Sequence, residues 1–222
     1  MPNSLVSEIC KLPTDFHGAG TVENAVLKFI AKLADEMGAV PQTAETGAGR
    51  TTVLFSQLSA RHYCFALNNG NSLAMARNSP LFNPNTVTFV EGPTQKTLPR
   101  HEFTGKLAFA LIDGPHAYPF ADLEYYFFYP LIQTGGVLII DDISIPTIRR
   151  MYDIVKREAM FRPIKIVGDT AFLRRTDEPV LDPYGDGWDL QGYNRLHYRK
   201  TLVLSWLAQR IPIPIKRLLR PE

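Results

Sequence analysis

Apolar residues follow a helical spacing in the first part of the chain and form short continuous runs after it. Between residues 21 and 37 they recur at positions i, i+3, i+4 and i+7, which is the spacing of one helix face. The apolar residues on this face are Val22, Ala25, Val26, Phe29, Ile30 and Leu33. This spacing predicts an amphipathic helix, and Thr21 stands where its N-cap is expected.

Beyond this helix, short β-rich runs alternate with helical patterns. The β-rich runs lie at 41–46, 62–67, 86–91, 107–112 and 136–141. The helical patterns lie at 50–59, 71–77, 119–131 and 146–160. This alternation predicts right-handed βαβ units, and therefore parallel strands that are covered by helices on both faces.

A different pattern follows at residues 164–173, where two β-rich runs flank Gly168 and Asp169. A Gly-Asp turn between two strands favours a hairpin, and therefore an antiparallel pair at one edge of the sheet. We expect an α/β domain over residues 1–176, in which residues 1–38 form an N-terminal helical segment. Its sheet is predicted to be doubly wound, mostly parallel and seven-stranded.

The last part of the chain, residues 177–222, differs from the α/β region. Residues 177–192 are rich in Asp, Gly and Pro and are predicted to be irregular. Residues 195–222 carry seven Lys or Arg side chains and one acidic side chain, a net charge of +6, around an apolar stretch at 201–208. This basic and apolar appendage predicts docking on the domain or a homodimer contact, and a peripheral membrane contact is the less favoured alternative.

Composition narrows the functional classes. The chain has 222 residues, of which 45% are hydrophobic and 21% are charged, so it is not a disordered chain. Its net charge of +2, which falls to −4 without the basic tail, argues against a nucleic-acid binder. The two cysteines form neither a disulfide framework nor a metal-binding motif. Because no signal peptide or membrane-spanning stretch is recognisable, we expect a cytoplasmic protein.

A glycine loop follows the first predicted strand, in the segment Thr43-Ala-Glu-Thr-Gly-Ala-Gly-Arg-Thr-Thr52. It is not a P-loop, since Ala44 replaces the first glycine and Arg50 replaces the lysine. It is not a dinucleotide fingerprint either, because Thr52 stands in place of the third glycine. Such a loop lets a ligand approach the backbone and the free N–H groups of the next helix. The alternative is a βα turn that needs glycine for its geometry alone.

Carboxylates close two apolar runs that are neighbours in the predicted sheet. Asp113 follows the run at 107–112, and Asp141 and Asp142 end the run that begins at residue 136. Because the carboxyl ends of adjacent parallel strands meet at one edge, these carboxylates can converge where α/β sheets bind ligands. Three oxygen ligands without cysteine suit Mg²⁺ or a similar divalent cation. In the alternative interpretation, Asp113 serves a turn and Asp142 caps the next helix.

These motifs resemble those of a known enzyme family. Glu45 followed by Gly47-Ala-Gly49 resembles motif I of the class I S-adenosylmethionine-dependent methyltransferases. The stretches Ile112-Asp-Gly-Pro-His-Ala-Tyr118 and Gly135-Gly-Val-Leu-Ile-Ile-Asp-Asp142 are similar to those of the metal-dependent small-molecule O-methyltransferases of the methyltransferase-24 group. The resemblance covers residues 40–175 and implies a Rossmann-like fold.

The resemblance also implies a cofactor, a metal and a role for each matching residue. It implies S-adenosylmethionine as cofactor and Mg²⁺ or a similar divalent cation as metal. The implied cofactor-binding residues are Glu45, Thr46, Gly47, Gly49, Gly92 and Asp113. The implied metal ligands are Asp113, Asp141 and Asp142. The implied catalytic residues are Asp113 and His116, with the imidazole as general base.

The sequence departs from the family pattern after the second strand. Asn68 replaces the acid that usually binds the ribose, although its amide can still donate and accept hydrogen bonds. We therefore expect either weaker cofactor binding or binding through Ser72 and backbone groups. In the alternative interpretation, residues 68–71 form a turn that does not contact the cofactor. Before the first predicted helix, a plain loop is the favoured interpretation, and a lid over the cofactor that includes Phe16 and His17 is the alternative.

Taken as a whole, the sequence predicts a methyltransferase that acts on a hydroxyl group of a small molecule. Nothing in the sequence identifies the acceptor molecule. A second function stays open, that of a subunit that binds S-adenosylmethionine without turnover and serves assembly or regulation. The Asn68 departure is compatible with this second function.

Overall fold

The computed structural model describes residues 3–13, 21–68 and 71–210, which form a seven-stranded sheet with helices around it. The strands are β1 (Thr43–Thr46), β2 (His62–Ala66), β3 (Val87–Glu91), β4 (Leu107–Ile112), β5 (Ile132–Ile140), β6 (Phe161–Val167) and β7 (Thr170–Arg175). Their order is β3-β2-β1-β4-β5-β7-β6, and β7 runs antiparallel to both of its neighbours. This architecture confirms the predicted α/β fold with a mostly parallel sheet.

Eight helices lie in the described part of the chain. They are α1 (Asn3–Ile9), α2 (Asn24–Met37), α3 (Arg50–Leu58), α4 (Ser72–Asn78), α5 (Thr94–Thr97), α6 (Phe120–Phe128), α7 (Pro146–Val155) and α8 (Gly192–Arg210). Short 3₁₀ turns at Leu98–Arg100 and Tyr129–Leu131 continue α5 and α6. The α-helical part of α6 is shorter than its sequence pattern because Pro130 lies in the 3₁₀ turn and cannot donate a helical hydrogen bond.

The central strands are buried because helices cover both faces of the sheet. Every residue of β4 is buried, and alternate side chains enter two different cores. Ala110 and Ile112 pack in the core with α6 and α7, whereas Phe109 and Leu111 pack in the core with α2 and α3. This burial on both faces explains the continuous apolar runs in the sequence.

The turn at Gly168 and Asp169 joins β6 and β7 as predicted. Gly168 has a φ of +57°, a conformation that favours glycine. The second strand of this hairpin, β7, inserts between β5 and β6, so that its first residue, Thr170, lies near the carboxyl end of β5. The carboxyl ends of β1 to β5 lie at the same edge of the sheet, and this edge carries the candidate site.

The predicted N-cap of α2 is wrong, since the helix begins at Asn24 and its N-cap is Glu23. Thr21 instead accepts a hydrogen bond from Nε of Arg50 at 3.2 Å. The buried guanidinium of Arg50 also donates to the carbonyl oxygen of Val22 at 2.5 Å and to Oδ1 of Asn24 at 2.6 Å. Arg50 occupies the position of the lysine in a P-loop, but in this structure its hydrogen bonds link the segment before α2 to the start of α3.

The C-terminal appendage contains one long helix. Residues 177–191 form turns without a helix or strand, and α8 then packs against α7. Large apolar side chains stay exposed on α8: Leu196, Tyr198, Val203 and Leu204. No helix in the described part of the chain is long and apolar enough to cross a membrane. Residues 211–222 of the basic tail lie outside the described residues, as do Phe16 and His17, so the lid, homodimer and peripheral membrane contacts stay predictions.

Candidate active site

The loop between β1 and α3 holds two glycines that differ in their surroundings. Gly47 has a φ of +84°, and a Cβ atom there would overlap the backbone carbonyl oxygen of Asp113. Gly49 is extended, with a φ of −175°, and a Cβ atom there would meet no atom of the described residues within 4 Å. The fold therefore requires glycine at position 47. At position 49 the backbone is open to a ligand at the start of α3.

Glu45 lies in β1 and is fully buried. Its Oε1 accepts a hydrogen bond from the Thr52 hydroxyl and lies 3.0 Å from Nε2 of His62. The other ring nitrogen of His62 lies 2.8 Å from Oγ1 of Thr43. Oε2 of Glu45 has no hydrogen-bond partner within the described residues. The protein thus fixes one carboxylate oxygen and leaves the other buried without a donor from the described residues, which is unusual for a buried polar atom.

The sequence pattern did not single out Thr52 and His62 as partners of Glu45. A signal was present, because the polar His62 begins a strand in which every residue is buried. Cys64 also lies close enough to Glu45 and His62 for the three to surround a metal ion. We assign no metal there, because neighbouring side chains already occupy both ring nitrogens of His62. Cys64 is a buried core residue, and burial raises the pKa of its thiol.

Asp113, His116 and Asp142 come together at the ends of β4 and β5. One potential ligand atom from each residue lies within 4.8 Å of the other two. Nε2 of His116 is 3.0 Å from Oδ2 of Asp142 and 4.0 Å from Oδ1 of Asp113. This nitrogen has no hydrogen-bond partner within the described residues, so its contact with Asp142 lacks hydrogen-bond alignment. All three side chains are partly exposed, whereas the Nε2 atom of His116 is itself buried.

Asp141 lies beside this group but is not one of its three members. Its Oδ1 accepts a hydrogen bond from the hydroxyl of Thr170, the first residue of β7. Burial, together with the charges of Asp141 and Asp142, raises the pKa of Asp113 well above its usual range. Burial and the charge of Asp142 also raise the pKa of Asp141. The three predicted carboxylates thus lie within electrostatic reach of one another, with Asp141 bonded to β7.

The backbone of Asp142 excludes the helix-capping alternative for this residue. Helix α7 begins only at Pro146, its N-cap is Ile145, and no side chain caps it. Asp142 instead has a φ of +55°, and its carbonyl oxygen accepts a hydrogen bond from the N–H of Ile145 at 3.0 Å. This conformation costs an L-residue about 1 kcal/mol or more, and such strain is frequent at functional sites.

Glu124 on α6 connects the ends of β1 and β4. Its side chain is 1% exposed, and it packs against Gly114, where a Cβ atom would overlap its carboxylate. Its Oε2 accepts a hydrogen bond from the Thr46 hydroxyl at 2.8 Å, and that hydroxyl accepts one from the backbone N–H of Asp113 at 3.0 Å. Burial raises the pKa of Glu124 to about 7. Thr46 was predicted to contact the cofactor, and in this structure its hydroxyl links the two strand ends.

The other candidate cofactor residues lie at the same edge of the sheet, after β2 and β3. Asn68 is exposed, and Ser72 is buried at the start of α4. Gly92 has a φ of +137°, and its N–H donates to the carbonyl oxygen of Ala66 at 3.0 Å. These positions are compatible with a ligand that extends along the edge from β1 to β3. The individual contacts of these residues stay predictions.

We expect Gly47→Ala to destabilise the protein and Gly49→Ala to leave its stability nearly unchanged. The first substitution strains a positive φ and pushes a methyl group against Asp113, which should cost about 1–3 kcal/mol. The second places its methyl group in open space. The free energy of unfolding in urea, measured without ligand, checks this difference. Equal effects of the two substitutions would contradict the contact between Gly47 and Asp113.

We also expect Glu124→Gln to remove a pH dependence of stability. The pKa of Glu124 rises from an ordinary value of 4.5 to about 7 on folding, so the folded state binds this proton more tightly. The free energy of unfolding of the wild type should therefore fall, relative to Glu124→Gln, as pH rises from about 4.5 to about 7. The expected relative change is about 1–3 kcal/mol.

Urea unfolding of both proteins at several pH values measures this change. The exposed Glu178 provides the control, since Glu178→Gln should show the wild-type pH dependence. If the free energies of unfolding of the wild type and Glu124→Gln differ by the same amount at every pH, the raised pKa of the buried Glu124 would be contradicted.

Known protein families and structures agree with this geometry. A family model described as a methyltransferase domain matches residues 44–143, which run from β1 to just beyond Asp142. No curated protein matches the chain.

Solved structures of O-methyltransferases share the fold at low sequence identity. The O-methyltransferase from Bacillus cereus, in complex with S-adenosylhomocysteine (SAH), is 18% identical with a TM-score of 0.59, and the match covers 79% of this chain and 92% of that one. TomG from Streptomyces achromogenes, in complex with S-adenosylmethionine (SAM), is 13% identical with a TM-score of 0.58, and the match covers 79% of this chain and 91% of that one. MycE from the mycinamycin biosynthetic pathway, in complex with Mg, SAH and mycinamycin VI, is 12% identical with a TM-score of 0.53, over 80% of this chain and 56% of MycE.

The matched family model and the shared fold confirm the resemblance seen in the glycine loop and in the two acidic strand ends. Residues 44–143 of the chain therefore form a methyltransferase domain, and the chain shares the fold of O-methyltransferases that were solved with SAH or SAM.

Proposed function

We propose that this chain transfers the methyl group of SAM to a hydroxyl group of a small molecule, with assistance from a divalent cation. One observation carries this proposal: the accessible group of Asp113, His116 and Asp142 lies beside the glycine loop. Gly47 contacts the carbonyl oxygen of Asp113, so the loop and the acidic group are direct neighbours. Two reactants bound at these adjacent places are positioned for reaction, and such positioning supplies a large part of enzymatic acceleration.

The proposed cofactor site is built on the loop between β1 and α3. The free N–H groups at the start of α3 favour the carboxylate of the methionine part, and the open backbone at Gly49 allows its approach. Oε2 of Glu45, an acceptor without a partner among the described residues, is proposed to receive the ammonium group directly or through water. Asn68, Ser72 and Gly92 are proposed to contact the nucleoside part.

The acidic group has the donor chemistry of a divalent cation site. Asp113, Asp141 and Asp142 would hold the ion, since carboxylate oxygens are the ligands that Mg²⁺ prefers. Burial and mutual repulsion raise the pKa of Asp113 and Asp141, and a cation would relieve this repulsion. When bound, such an ion polarises the acceptor oxygens and lowers the pKa of a hydroxyl group. MycE, a protein with this fold, was solved with Mg.

His116 is proposed to take the proton of the acceptor hydroxyl. Its side chain is partly exposed, and no described residue forms a hydrogen bond with its Nε2. The hydroxyl of Thr147 donates to the backbone carbonyl oxygen of His116 at 2.6 Å and so ties this loop to α7. The carboxylate of Asp142, close to the imidazole, stabilises the imidazolium that forms. The acceptor oxygen then attacks the methyl carbon in line with the sulfonium group, and SAH leaves.

A small acceptor is favoured over a nucleic acid. Outside the tail at 195–222 the chain carries a net charge of −4, which opposes binding of a polyanion. Two proteins of the same fold support a small acceptor, since TomG is involved in tomaymycin synthesis and MycE was solved with mycinamycin VI.

A subunit that binds SAM without turnover is the second candidate function. Asn68 favours it, because an amide in place of a carboxylate removes the charge-assisted hydrogen bonds to the ribose. The grouping of Asp113, His116 and Asp142 favours the enzyme, since a subunit without turnover has no need of this accessible group.

Titration calorimetry with SAH, followed by assays of methyl transfer from labelled SAM to catechols and glycosides, tests the proposal. SAH should bind the full chain, and Glu45→Gln should weaken this binding by about tenfold or more because a charge-assisted hydrogen bond is lost. Methyl transfer should require Mg²⁺ and should be abolished by EDTA and by Asp113→Ala. Glu178→Gln, a substitution at an exposed glutamate, should change neither binding nor transfer.

Each result separates one part of the proposal from the others. Absence of SAH binding would contradict the cofactor site, and therefore both candidate functions. SAH binding without transfer to any acceptor would support the subunit without turnover. Transfer that survives EDTA would contradict the role of the cation but not the methyltransferase activity.

A further inference from the structure

A cavity of about 350 Å³ lies between α6, α7 and the segment at 181–191. This volume is at the lower end of the range for small-molecule sites. None of the residues that we place in the methyltransferase site contributes to its wall. The residues that determine its chemistry are Asp122, Tyr125, Tyr126, Tyr129, Glu158 and Asp182.

Three tyrosines give the cavity an aromatic wall: Tyr125 and Tyr126 of α6, and Tyr129 of the 3₁₀ turn that follows it. The hydroxyl of Tyr129 donates to the carbonyl oxygen of Leu181 at 3.0 Å, and that of Tyr126 donates to the carbonyl oxygen of Pro183 at 3.3 Å. These two bonds hold the segment at 181–191 against α6. The rings of Tyr125 and Tyr129 stack with their centroids 5.1 Å apart. Because the hydroxyl groups of Tyr126 and Tyr129 already donate to backbone carbonyl oxygens, a ligand would contact this wall mainly through the aromatic rings.

Glu158, just beyond α7, contributes a buried carboxylate to the same cavity. Its side chain is 6% exposed, and the backbone N–H of Gly192 donates to the carboxylate. Its Oε1 has no hydrogen-bond partner within the described residues. A buried acceptor without a donor costs free energy, and a ligand that carries an N–H or O–H group would recover it.

The charges around the cavity select among such ligands. Asp122, Glu158 and Asp182 are acidic, and the described residues that line the cavity include no lysine or arginine. Arg150 lies near Asp122, and the buried Arg175 lies near Tyr125, so these two cations offset part of the charge of the three carboxylates. A negative cavity with aromatic walls repels an anion and attracts a cation, which gains both ion pairing and cation–π attraction.

We infer that this cavity is a second small-molecule site, which binds a protonated amine on a compact aromatic or aliphatic body. In this site the ammonium group donates to Glu158, and the tyrosine rings contact the body of the ligand. The site shares no residue with the proposed methyltransferase site, and it does not depend on the proposed reaction.

Titration calorimetry of the full chain with 2-phenylethylammonium tests this site. We expect this amine to bind at one site per chain, 2-phenylethanol to bind more weakly, and phenylacetate not to bind. Glu158→Gln should lower the affinity for the amine by about tenfold or more, because the buried acceptor loses its charge. Ile154→Trp, which adds volume in the wall of the cavity, should abolish amine binding. Glu178→Gln, at an exposed glutamate, should leave it unchanged.

The comparison of the amine, the alcohol and the acid uses the wild type alone, so it remains valid even if a variant does not fold. Thermal unfolding without ligand shows whether each variant is folded. SAH binding, measured in the same samples, should survive Glu158→Gln and Ile154→Trp, so failure of the amine site and failure of the cofactor site are distinguishable. Equal binding of phenylacetate and the amine would overturn the inference. So would unchanged amine affinity in folded Glu158→Gln, or absence of binding by the amine.

Discussion

The close contact between the ends of β1 and β4 is the constraint on which the site depends. Gly47 lies so close to the carbonyl oxygen of Asp113 that no side chain fits between them. The Thr46 hydroxyl accepts a hydrogen bond from the N–H of Asp113 and donates one to Glu124. Gly114 stays small because the Glu124 carboxylate packs against it. The glycine loop and the acidic strand end are therefore packed as one unit.

This unit concentrates acidic groups in a small volume. Glu45 and Glu124 are both buried, and each retains one carboxylate oxygen without a hydrogen-bond partner in the described part of the chain. Burial raises the pKa of Glu124 to about 7, and burial with neighbouring carboxylates raises the pKa of Asp113. Hydrogen bonds from Thr46 and Thr52 offset part of this cost. Groups with shifted pKa values in a cleft are typical of functional sites, where ligands supply the missing partners.

Much of this arrangement could be predicted from the sequence, because it follows from two general properties of parallel sheets. Strands buried on both faces are continuous apolar runs, and parallel strands end at one edge, which brings Asp113 and Asp142 together. Side-chain partners distant in sequence could not be predicted in this way. The N-cap prediction for α2 failed because Thr21 bonds Arg50, which is 29 residues away. The bond from Thr170 to Asp141 depends on β7 lying next to β5. The cavity at Glu158 depends on how the segment at 181–191 packs against α6.

The central claim is that the cofactor and a divalent cation occupy adjacent places on either side of the contact between Gly47 and Asp113. Crystals of the full chain grown with SAH and Mn²⁺, with diffraction measured near the manganese absorption edge, test it most directly. We expect an anomalous peak against the carboxylates of Asp113, Asp141 and Asp142, with the amino-acid part of SAH over Gly47 and Gly49. A manganese peak away from Asp113, or SAH bound away from the glycine loop, would contradict it.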